Sequence, residues 1–222
     1  MTRLPGSRCG LALERRPYRV RYPRGHLSMN QHLRRFTLSA LPAQPWKNGG
    51  GLTREIAVMP PAAGTADFTW RVSVAEIARD GPFSAFPGVD RQILLLAGPG
   101  VRLRSAGATP PINHLLNEPL VPFAFAGETA ISASLLGGPS QDLNVMTRRG
   151  VMRATVEVAR SGVRIGPCDG LVLLAVQGAW RFADPPTVLG TGEGVVLLEG
   201  TAGLSLEPAA PGALVVVRLL AC

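Results

Sequence analysis

Phe68-Thr69-Trp70-Arg71-Val72-Ser73-Val74-Ala75 is the stretch whose reading decides the fold class. In an extended chain Phe68, Trp70, Val72 and Val74 fall on one face, and Thr69, Arg71, Ser73 and Ala75 on the other. That period of two belongs to a strand with an apolar face on a core. Residues 151–158 alternate in the same way, with Arg153, Thr155 and Glu157 opposite Met152, Ala154, Val156 and Val158. Residues 93–97 and 171–176 are continuous apolar runs, as expected of strands buried on both faces. Twenty-six Gly and 20 Pro are spread along the 222 residues, and punctuation this dense favours many short strands over long helices. Only residues 113–117 hint at a helical turn. The predicted fold is all-β.

A weak internal repeat extends this reading. Residues 94–103 (LLLAGPGVRL) resemble residues 173–182 (LLAVQGAWRF) once a one-residue gap is allowed. Each reads as a buried strand, a Gly turn and a strand carrying Arg, and each precedes a second strand pair, at 123–136 and 195–206. Two copies of one all-β unit predict two similar packed barrels, residues 29–150 and 151–222. Chance similarity between strand-turn-strand segments is the alternative. The chain is long enough for either one large β domain or two small barrels.

Charge is concentrated at one end. Residues 1–28 hold seven Arg and one acid, Glu14, while the remaining 194 residues hold 16 basic and 14 acidic groups. The body therefore lacks the basic stripe that phosphate neutralisation requires, and no nucleic-acid partner is expected. Residues 1–28 show no periodicity and no apolar core of a signal peptide. They read as a disordered basic extension, with Met29 as the natural start. No apolar run approaches the roughly 20 residues that span a bilayer, so no membrane partner is expected either. Cys9, Cys168 and Cys222 are odd in number and form no CxxC. A disulfide framework is not expected, a reducing cytoplasm fits best, and Cys168 reads as a small buried apolar residue. The expected assembly is a monomer or homodimer.

Three segments carry unusual chemistry. In residues 46–55 (WKNGGGLTRE), three consecutive glycines permit backbone conformations barred to other residues. Their amides either form a nest for a carboxylate, aided by Lys47 and Asn48, or make a plain turn between strands. In residues 81–91 (GPFSAFPGVDR), Pro and Gly set a turn and the aromatics flank Ser84. Arg91 there is either a bidentate clamp for a ligand carboxylate or half of a rim salt bridge with Asp90. Residues 137–149 join the two repeats, with linkage as the default role. Only three His are present, His26, His32 and His114, with no HxH pair. That set cannot supply several converging ligands, so no metal or other cofactor is expected. Nor can a Ser-His-Asp set be built. The carboxylates Glu55, Glu76 and Asp90 have no spacing that singles out a pair, so no catalytic residue is assigned.

The strings PWKNGGGLTREI (45–56), FTWRVSVAEI (68–77), GPFSAFPGVDRQILLL (81–96) and GGPSQDLNVMTRRG (137–150), in this order and spacing, resemble the HutD/Ves family of the cupin superfamily. The resemblance runs from about Leu33 to Leu220 and leaves residues 1–28 without a counterpart. It implies a bicupin of two RmlC-like β-barrels without the usual metal-binding His. It also implies an association with histidine utilisation, through binding of an intermediate such as formylglutamate or urocanate. The expected function is therefore regulatory binding of a small carboxylate metabolite. A metal-independent cupin isomerase or lyase and a protein-interaction scaffold are the alternatives. The expected ligand-binding residues are Trp46, Lys47, Asn48, Gly49, Gly50, Thr53, Arg71, Ser73, Ser84, Phe86, Asp90, Arg91, Asn144 and Arg148, converging on one cavity of the first barrel. Arg71 and Ser73 share a strand face and so can point into it together.

Two outcomes are expected. Elemental analysis of tag-free protein should find no stoichiometric Zn, Fe, Ni or Mn, and a chelator should not unfold it. A chain starting at Met29 should melt within about two degrees of the full chain, as for removal of a segment that buries nothing.

Overall fold

The structure is a computed structural model that describes residues 33–60, 67–107, 110–182, 186–198 and 203–222. The predicted extension at residues 1–28 lies outside them. Among the described residues seventeen strands form three antiparallel sheets. A six-stranded sheet runs β2 (Ala43–Pro45), β3 (Gly51–Met59), β4 (Trp70–Ile77), β11 (Ser140–Arg148), β6 (Val89–Ala97), β9 (Pro122–Ala126). Facing it is a four-stranded sheet of β5 (Gly81–Pro82), β10 (Ile131–Leu135), β7 (Val101–Ser105) and β8 (Asn113–Leu116). The third sheet runs β1 (Leu33–Thr37), β16 (Glu193–Leu197), β14 (Gly170–Phe182), β17 (Leu204–Ala221), β12 (Met152–Ala159), with β13 (Val163–Ile165) on β17 and β15 (Thr187–Leu189) on β14.

Each unit has its own core, and a third core joins them. Ile77, Ile93, Leu95, Val101, Leu103 and Ile131 fill the space between the six- and four-stranded sheets. Leu171, Leu173, Trp180, Phe182, Leu206 and Val216 fill the inside of the seven-stranded sheet. Along the seam, Trp70, Val72, Val74, Leu143 and Val145 share a core with Val172, Leu174, Val215 and Val217. The apolar face of β4 thus seals the two units together. Its alternate face, with Arg71 and Ser73, turns into the N-terminal unit. Among the described residues the ladders leave three open sheets rather than closed cylinders.

The repeat explains how each unit bends. In the first copy the chain leaves β6, turns at Gly98 and Gly100 with φ of 91° and 93°, and enters β7 on the opposite sheet. In the second copy β14 continues through the equivalent corner. Its register against β17 slips between Ala175 and Trp180, with Gly178 at φ 71°. Bulges of this kind bend a strand so that one sheet can wrap its own core.

Two expectations need correction. The boundary at residue 150 does not divide the chain cleanly, because Leu33–Thr37 pairs with β16 in the C-terminal sheet, Leu33 opposite Leu197. Phe36 is buried in the seam there, which draws the strand away from the unit that follows it. The predicted helical turn near 113 is strand β8, paired from Asn113–Arg104 to Leu116–Val101. Cross-strand pairing overrides so short a local signal.

The triglycine turn is explained by the fold. The Gly49 amide donates to the Trp46 carbonyl at 3.0 Å, and the Gly50 amide to Asn48 Oδ1 at 3.0 Å. These two donors are spent inside the turn, which is the plain-turn alternative. Gly49 has φ 66° with open space around it, whereas a Cβ on Gly51 would stand 2.0 Å from the Glu76 carbonyl oxygen. Gly51→Ala should therefore cost at least about 2 kcal/mol, a drop of roughly 4–8 °C in Tm for a chain of this size. Gly49→Asn should cost less than about 1 kcal/mol, because Asn tolerates the left-handed region. Thermal denaturation of the two variants checks the pair.

Candidate functional site

The register of the six-stranded sheet builds a polar grid on its inner face. Along β4, Arg71 and Ser73 sit two residues apart. Ser73 stands opposite Glu55 on β3 and Asn144 on β11, and Arg71 stands opposite Met146. Beyond β11, Met146 lies opposite Arg91, and Asn144 opposite Ile93. Asp142 precedes Asn144 by two and so shares its face. Glu55, Arg71, Ser73, Arg91, Asp142 and Asn144 therefore point into the N-terminal unit together. Four of them are almost inaccessible: Ser73 is 2% exposed, Asp142 3%, Arg91 5% and Asn144 7%.

Arg91 is the centre of the cluster. Its guanidinium carbon lies 5.0 Å from the ring centroid of Phe125, 5.4 Å from that of Phe83 and 5.6 Å from that of Phe86. Three rings hold it by cation–π attraction, which is strongest where water is excluded. Nη1 donates to the Ser84 carbonyl at 3.3 Å, and the buried Nε has no hydrogen-bond partner. Burial pushes the Arg91 pKa down to about 10; Asp142 opposes that shift and the positive charge of Arg71 adds to it. The alternation that turns Arg91 inward turns Asp90 outward, where it accepts from Arg149 Nε at 2.7 Å. Arg149 also reaches Glu128 with both terminal nitrogens, at 2.8 and 3.1 Å. The rim ion pair foreseen for Asp90 thus exists, but its partner is Arg149 and not Arg91.

The other charges divide into a paired set and an unpaired one. Arg71 Nε donates to Glu55 Oε2 at 2.8 Å, an ion pair whose side chains are 14% and 32% exposed. Among the described residues Asp142 has no ion pair. Its Oδ1 is buried without a hydrogen-bond partner, as is Oδ1 of Asn144. Burial pushes the Asp142 carboxyl up to about 7, against the opposing effects of Arg91 and of its own backbone amide. Buried polar atoms normally find partners. Three such atoms, Arg91 Nε, Asp142 Oδ1 and Asn144 Oδ1, lie on side chains that share one face and have no partner among the described residues. Two shallow depressions lie elsewhere, one near Arg34, Phe36 and Glu193 and one near Glu76, Ala97 and Ser140. Neither is lined by this cluster.

The predicted residues fall into three groups. Arg71, Ser73, Arg91 and Asn144 meet in the grid, and Phe86 covers Arg91 from the loop at residues 83–88. Ser84 joins through its carbonyl, with its side chain exposed. Arg148 holds the same loop by donating to the Pro87 carbonyl at 3.1 Å, and lies 5.7 Å from the Phe68 ring. Thr53 is on the same sheet face, opposite Ala75, and accepts from Trp46 Nε1 at 2.8 Å. Lys47, Asn48, Gly49 and Gly50 lie in the turn at the Ile77 end of β4, six residues or ~20 Å along the strand from Arg71. Lys47 and Asn48 are exposed there, and Asp90 faces outward. Asp142, Glu55, Phe83 and Phe125 were not among the expected site residues. Period-two spacing from Asn144 points to Asp142. The other three need the register of β3, β6 and β9.

Cupin barrels often hold a metal, and the donor set here does not fit one. Among the described residues no three of His, Cys, Asp and Glu converge. His114 is stacked on Phe123 with centroids 3.8 Å apart, away from Asp142 and Glu55 on the ladder. No helix among the described residues is long and apolar enough to cross a membrane.

Comparison with known proteins agrees with this architecture. The HutD family profile matches residues 38–216. Protein Ves from Citrobacter koseri is 44% identical over 151 residues, 67% of this chain and 75% of that protein. The structure of HutD from Pseudomonas fluorescens SBW25 superposes with a TM-score of 0.73 at 26% identity, covering 86% of this chain and 99% of that one. A cupin 2 conserved barrel domain protein from Leptotrichia buccalis shares the fold alone, with a TM-score of 0.55 at 9% identity over 83% of this chain and 95% of that one. With the profile spanning nearly every described strand and the fold shared with cupins, this all-β chain belongs to the HutD family.

Proposed function

We propose that this protein is a metal-free bicupin that binds a small carboxylate metabolite, formylglutamate- or urocanate-like, inside its N-terminal unit, with a regulatory role in histidine utilisation. The observation that carries the reading is Arg91. A guanidinium held by three aromatic rings, almost fully buried and with Nε unpartnered, is oriented before any ligand arrives. Arg presents a planar fork that matches both oxygens of a carboxylate. Ser73 and Asn144 share its sheet face and offer neutral hydrogen-bonding groups. The two-barrel description rests on the paired cores and the internal repeat.

One observation favours a second reading, a metal-independent isomerase or lyase. Asp142 is a buried carboxyl lifted to about 7, the kind of group that serves as a general acid or base near neutral pH. The binding reading ranks first because Glu55, the other inward carboxylate, is tied to Arg71 and leaves Asp142 without an acid–base partner.

Thermal shift and calorimetry with formylglutamate and urocanate test both readings. At least one should raise Tm and be recovered unchanged by NMR after prolonged incubation. Arg91→Lys, which keeps the charge and loses the fork, should weaken binding by roughly 1.5–3 kcal/mol. Unaltered affinity in Arg91→Lys would reject the site, and conversion of the ligand would promote the enzymatic reading.

A further inference from the structure

The charges of the grid do not favour an anion unless one of them changes. Arg71 is neutralised by Glu55 at 2.8 Å. Asp142 shares the sheet face of Arg91 but stands opposite Leu95, four residues along β6 from it, and makes no ion pair with it among the described residues; its charge still opposes the lowering of the Arg91 pKa. With Asp142 ionised, the two cations and two anions cancel, and a carboxylate entering beside Arg91 meets a second buried carboxylate. Like charges confined to one low-dielectric site do not both stay ionised. With Asp142 protonated, the cluster carries one net positive charge, and the acid offers an O–H where its ionised form offers only lone pairs.

We propose that Asp142 is the proton-binding residue of this site: it takes up a proton as a carboxylate docks on Arg91, and in the complex it donates its O–H to the bound ligand. The proton comes from solvent, so the ligand enters as an anion accompanied by one proton, and no covalent bond is made. Asp142 then acts as a specificity-determining residue. It rewards a ligand long enough to place a carboxylate on Arg91 and a second acceptor oxygen at Asp142, and it links occupancy to pH. The inference rests on the carboxylate-binding reading above and deepens it.

The surroundings leave few other groups to account for such a linkage. Glu55 on β3, Arg71 on β4 and Arg91 on β6 are the charged side chains that share the face of Asp142. The four-stranded sheet opposite contributes Val101, Leu103, Ile131 and Ala133 to the core. Its nearest titratable side chain, His114, is stacked on Phe123. The loop at residues 83–88 contributes Phe83 and Phe86. Burial already holds the Asp142 carboxyl at about 7, and a bound anion near it raises that value further. The sign is then fixed. Between the free and bound values, binding takes up a proton, so affinity falls as pH rises.

The experiment is calorimetry of the full chain with formylglutamate as the probe, from pH 6 to 9. Each pH is measured in two buffers of different protonation enthalpy. Wild-type affinity should be level near pH 6 and fall about tenfold per pH unit above 7, with close to one proton taken up at pH 8. Asp142→Asn, which keeps a donor but cannot titrate, should bind with affinity independent of pH and with no proton uptake. Arg91-dependent binding that is flat with pH and free of proton uptake in the wild type would overturn this proposal and leave the carboxylate site standing. Absence of binding at pH 6 in the wild type would overturn both. The two-buffer measurement on the wild type decides the matter even if Asp142→Asn folds poorly.

Discussion

The seam formed by Trp70, Val72 and Val74 with Val172, Leu174, Val215 and Val217 is the constraint on which the rest of the structure depends. Apolar burial is non-directional, but a strand is not: side chains that leave one face must alternate with side chains on the other. Once the apolar face of β4 is committed to the seam, Arg71 and Ser73 have nowhere to go but the interior of the N-terminal unit. The same holds on β11, where Leu143 and Val145 enter the seam and Asp142, Asn144 and Met146 turn inward. The polar interior is thus a consequence of joining two units through one sheet. Each large apolar side chain buried contributes about 1.5–3 kcal/mol. A seam built from many of them offsets the cost of holding Arg91 and Asp142 out of water.

The two units divide the work unequally. The C-terminal interior is filled by Trp180, Phe182 and a ring of leucines, and among the described residues its buried side chains leave no polar atom unpartnered apart from the Trp180 indole N–H. It serves as a buttress. The N-terminal interior keeps apolar side chains toward the four-stranded sheet and its charges on the six-stranded one, with Arg91 under the loop at residues 83–88. That loop is pinned by backbone bonds from Phe83 to Ile131 and from Phe86 to Gly127, and by Arg148 on the Pro87 carbonyl. The exposed network of Arg149 with Asp90 and Glu128 adds little to stability at such a surface. Its value is geometric, because it fixes the start of β6 from which Arg91 projects.

Three of the five buried side-chain atoms without a hydrogen-bond partner among the described residues lie in the grid, the others being Arg54 Nε and Trp180 Nε1. Over most of the rest, local pattern, turn chemistry and core packing agree with one another, which is what allows a chain to specify one fold. In the grid they conflict: an Arg and an Asp are buried on one sheet face, four residues apart along β6 and without an ion pair, and three polar atoms lack partners. Strongly perturbed, desolvated groups of this kind cluster at functional sites.

The sequence by itself determined the all-β class, through the alternation at residues 68–75 and 151–158 and the density of Gly and Pro. It also marked, at residues 94–103 and 173–182, two strand segments that bend at a glycine, Gly98 with Gly100 and Gly178. It named most of the cluster, because Arg71, Ser73, Arg91 and Asn144 lie in segments whose polar residues stand out against apolar neighbours. Tertiary structure alone decided which of these segments meet. Alternation gives the face of a residue but not the strand beside it, so the pairing of β11 between β4 and β6, which sets Asp142 and Arg91 on one inner face, could not be read from spacing. For the same reason the triglycine turn, chemically the most suggestive string, proved to be a corner shaped by the Glu76 carbonyl. Leu33–Thr37, which precedes the N-terminal unit in sequence, became an edge strand of the other one. Burial and neighbours are long-range properties, and they are set only when the sheets have closed on their cores.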